Sequence, residues 1–242
     1  MAKVVDHYAN HLAPLYEWMV GDVTAALVRS AAELDAAGIS SCAGSTAVDL
    51  GAGIGLHALP LAQRGYAVIA IDSNQQLLAA LQAGAGTLPI TAVNADLLDF
   101  QKHVQRPAEV ILCMGDTLTH LSSVAEVQAL LVGVAGSLAE GGTFVATFRD
   151  YLTALTAERR FIPVRSDAQR ILTCFLEYAP DVVVVHDVLH QWQEGRWTQR
   201  VSSYSKLRLA PKWVAATLQR HGLATRTTVT QSGMVCVVAR KP

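Results

Sequence analysis

Residues 48–55 read VDLGAGIG, three glycines spaced two apart behind a short apolar run that carries an acid. Glycine is needed where the backbone leaves a strand sharply and lies close to a ligand. Between a strand and a helix, such a turn also points free N–H groups and the positive end of the helix dipole at whatever sits there. The string therefore predicts a nucleotide-type loop at the carboxyl edge of a first strand, where open α/β sheets bind their ligands.

The flanking sequence supplies that sheet. TAVDL, YAVIAID, ITAVNAD, AEVILCMG and TFVATFRD are short β-forming runs, separated by helical stretches such as LHALPLAQRG, NQQLLAALQAG and VAEVQALLVGVAGSLAEGG. Strands of about five residues alternating with helices are the pattern of βαβ units in a parallel sheet covered on both faces. Before it, residues 6–38 read as two helices, the first with Tyr8, Leu12, Leu15, Tyr16 and Met19 at helical spacing. From about residue 158 the texture changes to RFIPVRSD, RILTCFLEYAP, DVVVVHDVLHQW and RWTQRVSSYSKLRL, an antiparallel meander inserted in the main fold. A helix, PKWVAATLQRHG, and a hairpin close the chain. The expected organisation is one domain over 1–242: an N-terminal helical lid (1–40), a cofactor-binding core (44–150), the meander as substrate cap (158–209), and the final helix and hairpin (210–242).

Composition narrows the partners. With 19 basic and 20 acidic residues the net charge is −1, which argues against a nucleic-acid binder and an anionic membrane surface. No run approaches the roughly 20 apolar residues of a membrane span. Cys42, Cys113, Cys174 and Cys236 form no CxxC pair and read as reduced thiols of a soluble cytoplasmic protein.

Spacing discriminates between cofactors. The dinucleotide fingerprint is G-x-G-x-x-G, but here the third glycine is Gly55 and Leu56 stands at the fingerprint position. Asp72 ends the next strand, 21 residues beyond Gly51 (72 − 51), where a carboxylate can accept ribose hydroxyls. Asp96, in NAD, follows the third strand, where an adenine edge would lie. Each acid also has a plainer reading: Asp49 as a cap of the glycine turn, Asp72 as a turn residue, Asp96 as a helix N-cap.

The strings VDLGAGIG, IDSN, NADLLDF and ILCMGDTLTHL resemble class I S-adenosylmethionine-dependent methyltransferases over about residues 44–150. The resemblance implies a Rossmann-like, doubly wound α/β sheet of seven strands whose last strand is antiparallel. It also implies S-adenosyl-L-methionine as cofactor. Asp49, Gly51, Ala52, Gly53 and Gly55 would face the methionine part, Asp72 the ribose, and Asp96 with Leu97 the adenine, with Ser73 also among the cofactor-binding residues. Met114 and Gly115 would lie beside the cofactor at the end of the fourth strand.

Methyl transfer from a sulfonium is an in-line displacement, so an enzyme contributes mainly alignment and dryness, and needs a base only for a protonated nucleophile. The finer resemblance is to small-molecule N-methyltransferases of the glycine and sarcosine type. DHYANHLAPLYEWM is similar to their tyrosine-bearing lid, which implicates Tyr8 and Tyr16. GDTLTHL is similar to the stretch after their fourth strand, with Asp116 where asparagine is commoner. TFRDY falls where they carry a substrate-gripping arginine, which makes Arg149 a candidate carboxylate clamp, with a surface ion pair at a strand end as the plainer reading. His120 is a candidate base or substrate hydrogen-bond partner, or a helix-start histidine.

The pair in HDVLH, His186 and His190, is not read as a metal site, and no metal is expected. On a strand, residues four apart lie ~13 Å apart. The meander face that carries them has three readings: the substrate mouth, solvent, or a second subunit of a homo-oligomer. The expected acceptor is a small molecule, an amine or amino acid bearing a carboxylate. The alternatives are O-methylation of a small metabolite, a macromolecular (RNA or protein) acceptor, a nicotinamide oxidoreductase, and a non-catalytic cofactor binder.

Overall fold

The computed structural model describes residues 7–242; residues 1–6, the start of the expected lid, lie outside the described residues. Seven strands form one sheet in the order β3-β2-β1-β4-β5-β11-β10. They are β1 (Thr46–Leu50), β2 (Ala67–Asp72), β3 (Ile90–Asn94), β4 (Ala108–Cys113), β5 (Leu138–Phe148), β10 (Ala224–Val229) and β11 (Val235–Arg240). β1 to β5 pair in parallel, and β11 runs antiparallel between β5 and β10. This is the Rossmann-like, seven-stranded sheet that the resemblance implied.

Alternation along the strands decides which layer each residue joins. Val48, Leu50, Ile71, Ile111, Cys113 and Phe144 pack with Leu130, Leu131 and Val134 of α5 (Val124–Ser137) and Val214 and Leu218 of α6 (Pro211–Arg220). Ala47, Val68, Ala70, Val110 and Leu112 face the other way. They meet α2 (Val23–Ala37), α3 (Ala58–Gln63) and α4 (Gln75–Ala85) through Leu34, Leu61 and Leu81. β1, at the centre, is buried along its whole length, as a parallel strand covered on both faces must be.

Two expected elements come out differently. The helix expected to reach Gly142 stops at Ser137, because Leu138 turns extended and pairs with Ala108 at the start of β5. The next pair is Thr143 with Val110, so residues 139–142 bulge out of the ladder. A Cβ on Gly142 would stand 2.7 Å from the Ala139 carbonyl oxygen, so the glycine pair serves this bulge and not a helix cap.

The first N-terminal helix is broken. Pro14 has no N–H and crowds the carbonyl one turn earlier. The chain accommodates it with a π turn at Tyr8–Leu12, in which the Ala13 N–H reaches the Tyr8 carbonyl, and a 3₁₀ turn at Ala13–Leu15. Of the elements described before Gly21, α1 (Tyr16–Val20) is the α-helical one. The break lets one segment bury two faces. Tyr8, Ala13 and Tyr16 pack on Ile54 and Leu77, while Leu15 and Trp18 pack on Leu172 and Leu189 of the meander.

The meander is a separate antiparallel sheet, β6 (Phe161–Ser166), β7 (Arg170–Tyr178), β8 (Val182–Gln193) and β9 (Arg196–Leu207), in that order. Its inner face carries Leu176, Val183, Val185 and Tyr204 against Tyr151. Among the described residues no helix is long and apolar enough to cross a membrane.

Candidate active site

Each glycine of the 51–55 loop has a steric reason. All three have left-handed φ, +78°, +53° and +89°. A Cβ on Gly51 would lie 2.4 Å from the Thr117 methyl, and one on Gly55 would lie 2.8 Å from Leu81. At Gly53 the added atom would point toward the Tyr16 hydroxyl, 3.8 Å away. Gly51 and Gly55 are thus places where neighbours close in, and Gly53 is the floor of an open cradle roofed by Tyr16.

The cavity above this loop is lined by Gly51–Ile54, Leu56, His57, Asp72–Asn74, Leu77, Leu97, Met114, Gly115 and Thr117, together with Tyr8, Tyr16 and His120. Asp72 is fixed by two backbone donors, the Gly53 N–H at 2.9 Å and the Asn74 N–H at 2.8 Å. Burial pushes its carboxyl up, and those N–H groups pull it back. Asn74 in turn caps α4, accepting from Gln76 and Leu77. Asp49, one residue before the end of β1, is buried, with Oδ2 sealed from solvent and unpartnered. Burial raises its carboxyl to about 6, against the pull of His57 and the Ala58 N–H.

Asp96 is exposed and caps the following 3₁₀ turn through the Leu98 N–H at 2.9 Å; Leu97, beside it, reaches the cavity. Arg149 is also exposed and outside the lining. Its backbone N–H donates to Asp116 at 2.9 Å. His186 and His190 lie on the outer face of β8, while Asp187 between them points inward.

At the far end of the cavity the wall is neutral and aromatic. The His120 Nδ1 is buried without a partner, and burial together with the nearby Lys206 charge pushes its imidazole down to about 3. Its ring stacks with Tyr204 of β9 at 5.5 Å and meets Tyr8 edge-on at 5.5 Å. Tyr204 stacks in turn on His7, 4.2 Å away, which bonds Asp187 at 2.9 Å and Ser202 at 2.6 Å. Behind His120, Asp116 accepts from Lys206 of β9, Tyr151, Thr119 and the Arg149 N–H. Burial, the largest single influence, would raise Asp116, but Lys206, the Arg149 N–H and His120 together outweigh it and hold the carboxyl below its ordinary value.

His7, Tyr151, Asp187 and Lys206 were not legible as a group in the sequence, because they come from three segments joined only by the fold. One signal was present: SSYSKL alternates, so Ser202, Tyr204 and Lys206 share a face of β9, and a lysine on a buried strand face needs a partner.

Residues 47–142 match the family model described as a methyltransferase domain. The chain carries a methyltransferase domain. A glycine/sarcosine/dimethylglycine N-methyltransferase of Actinopolyspora halophila is 29% identical over 111 residues, which cover 44% of this chain and 19% of that protein. The match therefore spans about a fifth of that relative. The CcbJ methyltransferase of Streptomyces caelestis superposes with a TM-score of 0.77 at 20% identity, covering 97% of each chain. CalS10, an amino pentose methyltransferase from Micromonospora echinaspora solved with S-adenosylmethionine bound, gives 0.73 at 15% identity over 95% of this chain and 96% of its own. Coverage at this level extends past residues 47–142 to the meander, so the likeness of fold takes in the whole architecture, inserted sheet included.

The residues present fit S-adenosylmethionine. The cradle over Gly53 is one a Cβ would enter, and the free oxygen of Asp49 is an acceptor for which the protein offers no donor.

Proposed function

We propose that this chain is an S-adenosylmethionine-dependent methyltransferase of a small-molecule amine. The observation that carries the reading is the change in character along one cavity. Glycines and Asp72 line one part, roofed by Tyr16, while Tyr8 and His120, whose Nδ1 is buried without a partner, meet edge-on in another part of the lining, with no lysine or arginine among the lining residues. A neutral, dry wall disfavours an ammonium and favours the free amine, the form with a lone pair to donate.

S-adenosylmethionine, when bound, supplies an electrophilic sulfonium methyl. The chain's residues take the remaining tasks. Asp49 and Gly51–Gly55 hold the methionine part, Asp72 and Ser73 the ribose, Asp96 and Leu97 the adenine side, with Met114 and Gly115 alongside. His120, kept neutral, accepts an amine N–H at Nδ1 and so turns the lone pair toward the donor loop. Tyr8 and Tyr16 roof the site and exclude water. The names of the relatives support an amine acceptor: one is a glycine and sarcosine N-methyltransferase, another an amino pentose methyltransferase.

The outer face of the meander supports a second copy of the chain as its occupant. It holds Phe161, Ile171, Trp192, Trp197 and Val201, all exposed. Four strands by about five rows give a footprint of roughly 650 Å², near the ~800 Å² per partner of a standard interface.

The test is release of S-adenosylhomocysteine across a panel of amines, amino acids, phenols and carboxylic acids. Turnover confined to amines, lost in His120→Ala, is the expected result. Turnover of phenols alone would replace the amine reading with O-methylation, and none at all would leave a cofactor binder.

A further inference from the structure

We propose that Lys206 is a positioning residue for methyl transfer, acting through Asp116 on the turn that forms the acceptor wall; the claim rests on the amine-methyltransferase reading of this site. The turn runs from Gly115 to His120 and is held at both ends by one strand. At its start Lys206 donates to Asp116, and at its end Tyr204 stacks on His120 with an interplanar angle of 11°. Lys206 and Tyr204 are two residues apart on β9, hence on one face.

Asp116 is an unusual place for such a contact. Its φ is +75°, a left-handed conformation that costs a non-glycine residue energy and persists only where the surroundings over-determine it. Here they do. The backbone N–H of Asp116 reaches the Thr147 carbonyl, and its two carboxylate oxygens collect Arg149 N–H, Thr119, Tyr151 and Lys206. The next residue, Thr117, sets its methyl against Gly51, where even a Cβ would not fit. The donor loop thus braces the turn at Thr117, and a displacement of Asp116 is passed on toward His120.

A buried lysine–aspartate pair is not explained by stability. Lys206 and Asp116 are only 9% and 4% exposed, and such pairs are often replaced by apolar residues without loss. What the pair supplies is direction: a charge-assisted bond tying the inserted sheet to the loop at the end of β4. In-line transfer is sensitive to this, since a misplacement of about 1 Å can cost on the order of a hundredfold in rate.

The decisive comparison sets Lys206→Met beside the double variant Lys206→Met/Asp116→Asn. The single variant leaves a buried carboxylate unpaired and is expected to lower Tm; the double removes that charge and is expected to recover it. In the double variant, affinity for S-adenosylhomocysteine should stay within about threefold, while kcat stays down roughly ten- to a hundredfold. A purely structural pair predicts the opposite, with kcat recovering alongside Tm, and that result overturns the proposal. The His120 ring proton resonances, shifted by the Tyr204 stack, give a readout that needs no turnover. They should move in the double variant, and unchanged positions overturn the proposal too. If the wild type methylates no amine while these resonances still move, the functional reading fails and takes the role in methyl transfer with it, leaving only the mechanical link from Lys206 to His120; if the wild type does methylate amines while the resonances stay put, the functional reading stands and the proposal fails.

Discussion

Replacing Asp49 with asparagine should stabilise the cofactor-free protein and weaken cofactor binding at the same time. In the folded chain burial holds this carboxyl at about 6, against an ordinary value of 3.8. A folded value above the unfolded one means that the native state holds the proton more tightly, so this group's contribution to stability rises as pH falls through 6. Well above pH 6 the buried charge costs about 3 kcal/mol, the free-energy equivalent of that gap. The substituted amide carries no charge and keeps an oxygen for the Ala58 N–H. Urea unfolding at pH 8 should therefore show Asp49→Asn more stable by up to about 3 kcal/mol, and at pH 5 that advantage should shrink by about 1.4 kcal/mol as the wild-type carboxyl takes up its proton. The same variant should bind S-adenosylhomocysteine at least about tenfold more weakly, having lost the free anionic oxygen that suits an ammonium. A difference independent of pH, or a destabilised variant at pH 8, would show that Asp49 is already satisfied in the apo chain and would refute the reasoning.

Other perturbations probe the site from different sides. Gly51→Ala combines a left-handed φ with a 2.4 Å contact to Thr117, and should cost about 2 kcal/mol or more together with measurable cofactor affinity; thermal melting and calorimetry check it. His7→Ala removes the bonds to Asp187 and Ser202 and the stack on Tyr204, so the lid segment should gain protease sensitivity and the acceptor KM should rise with little change in the melting of the core. Arg149→Ala tests the carboxylate clamp: from its exposed place outside the cavity, a change in acceptor KM below about twofold is expected. A sharp rise confined to carboxylate-bearing amines would restore the clamp. Val201→Glu sets a charge on the outer face of the meander and should yield a monomer by light scattering if a second copy docks there.

What was legible in the sequence shares one property: it is local. The glycine loop, Asp72 and the strand–helix alternation are written in contiguous residues whose spacing carries the geometry, and the sheet order follows from right-handed crossovers between them. Where a contiguous signal misled, a nearby contact had overridden it. The helical period of 124–142 continues past Ser137, but Leu138 gains more from the ladder with Ala108 than from another helical turn. The period through Tyr8, Leu12 and Tyr16 is real as well, yet Pro14 converts it into three short turns.

The acceptor wall was illegible for the complementary reason. Its members lie at 7–16, 116–120, 151 and 187–206, and none of these segments states that the others will be near. The local sequence also points the wrong way. HDVLH draws the eye to two histidines, while the residue that works inward is the aspartate between them, because a strand sends neighbours to opposite faces. Asp116 looks like an ordinary loop acid until its left-handed backbone and four donors are seen together. The division is physical. A cofactor common to many chains can be met by a local loop held in one strand–turn–helix unit, whereas a pocket for one acceptor is assembled from whatever the inserted sheet and the lid bring across. On the proposed reading, acceptor choice is expected to lie with β9 and the N-terminal segment more than with the donor loop, and exchange of those two segments is the change that should alter substrate while leaving cofactor affinity in place.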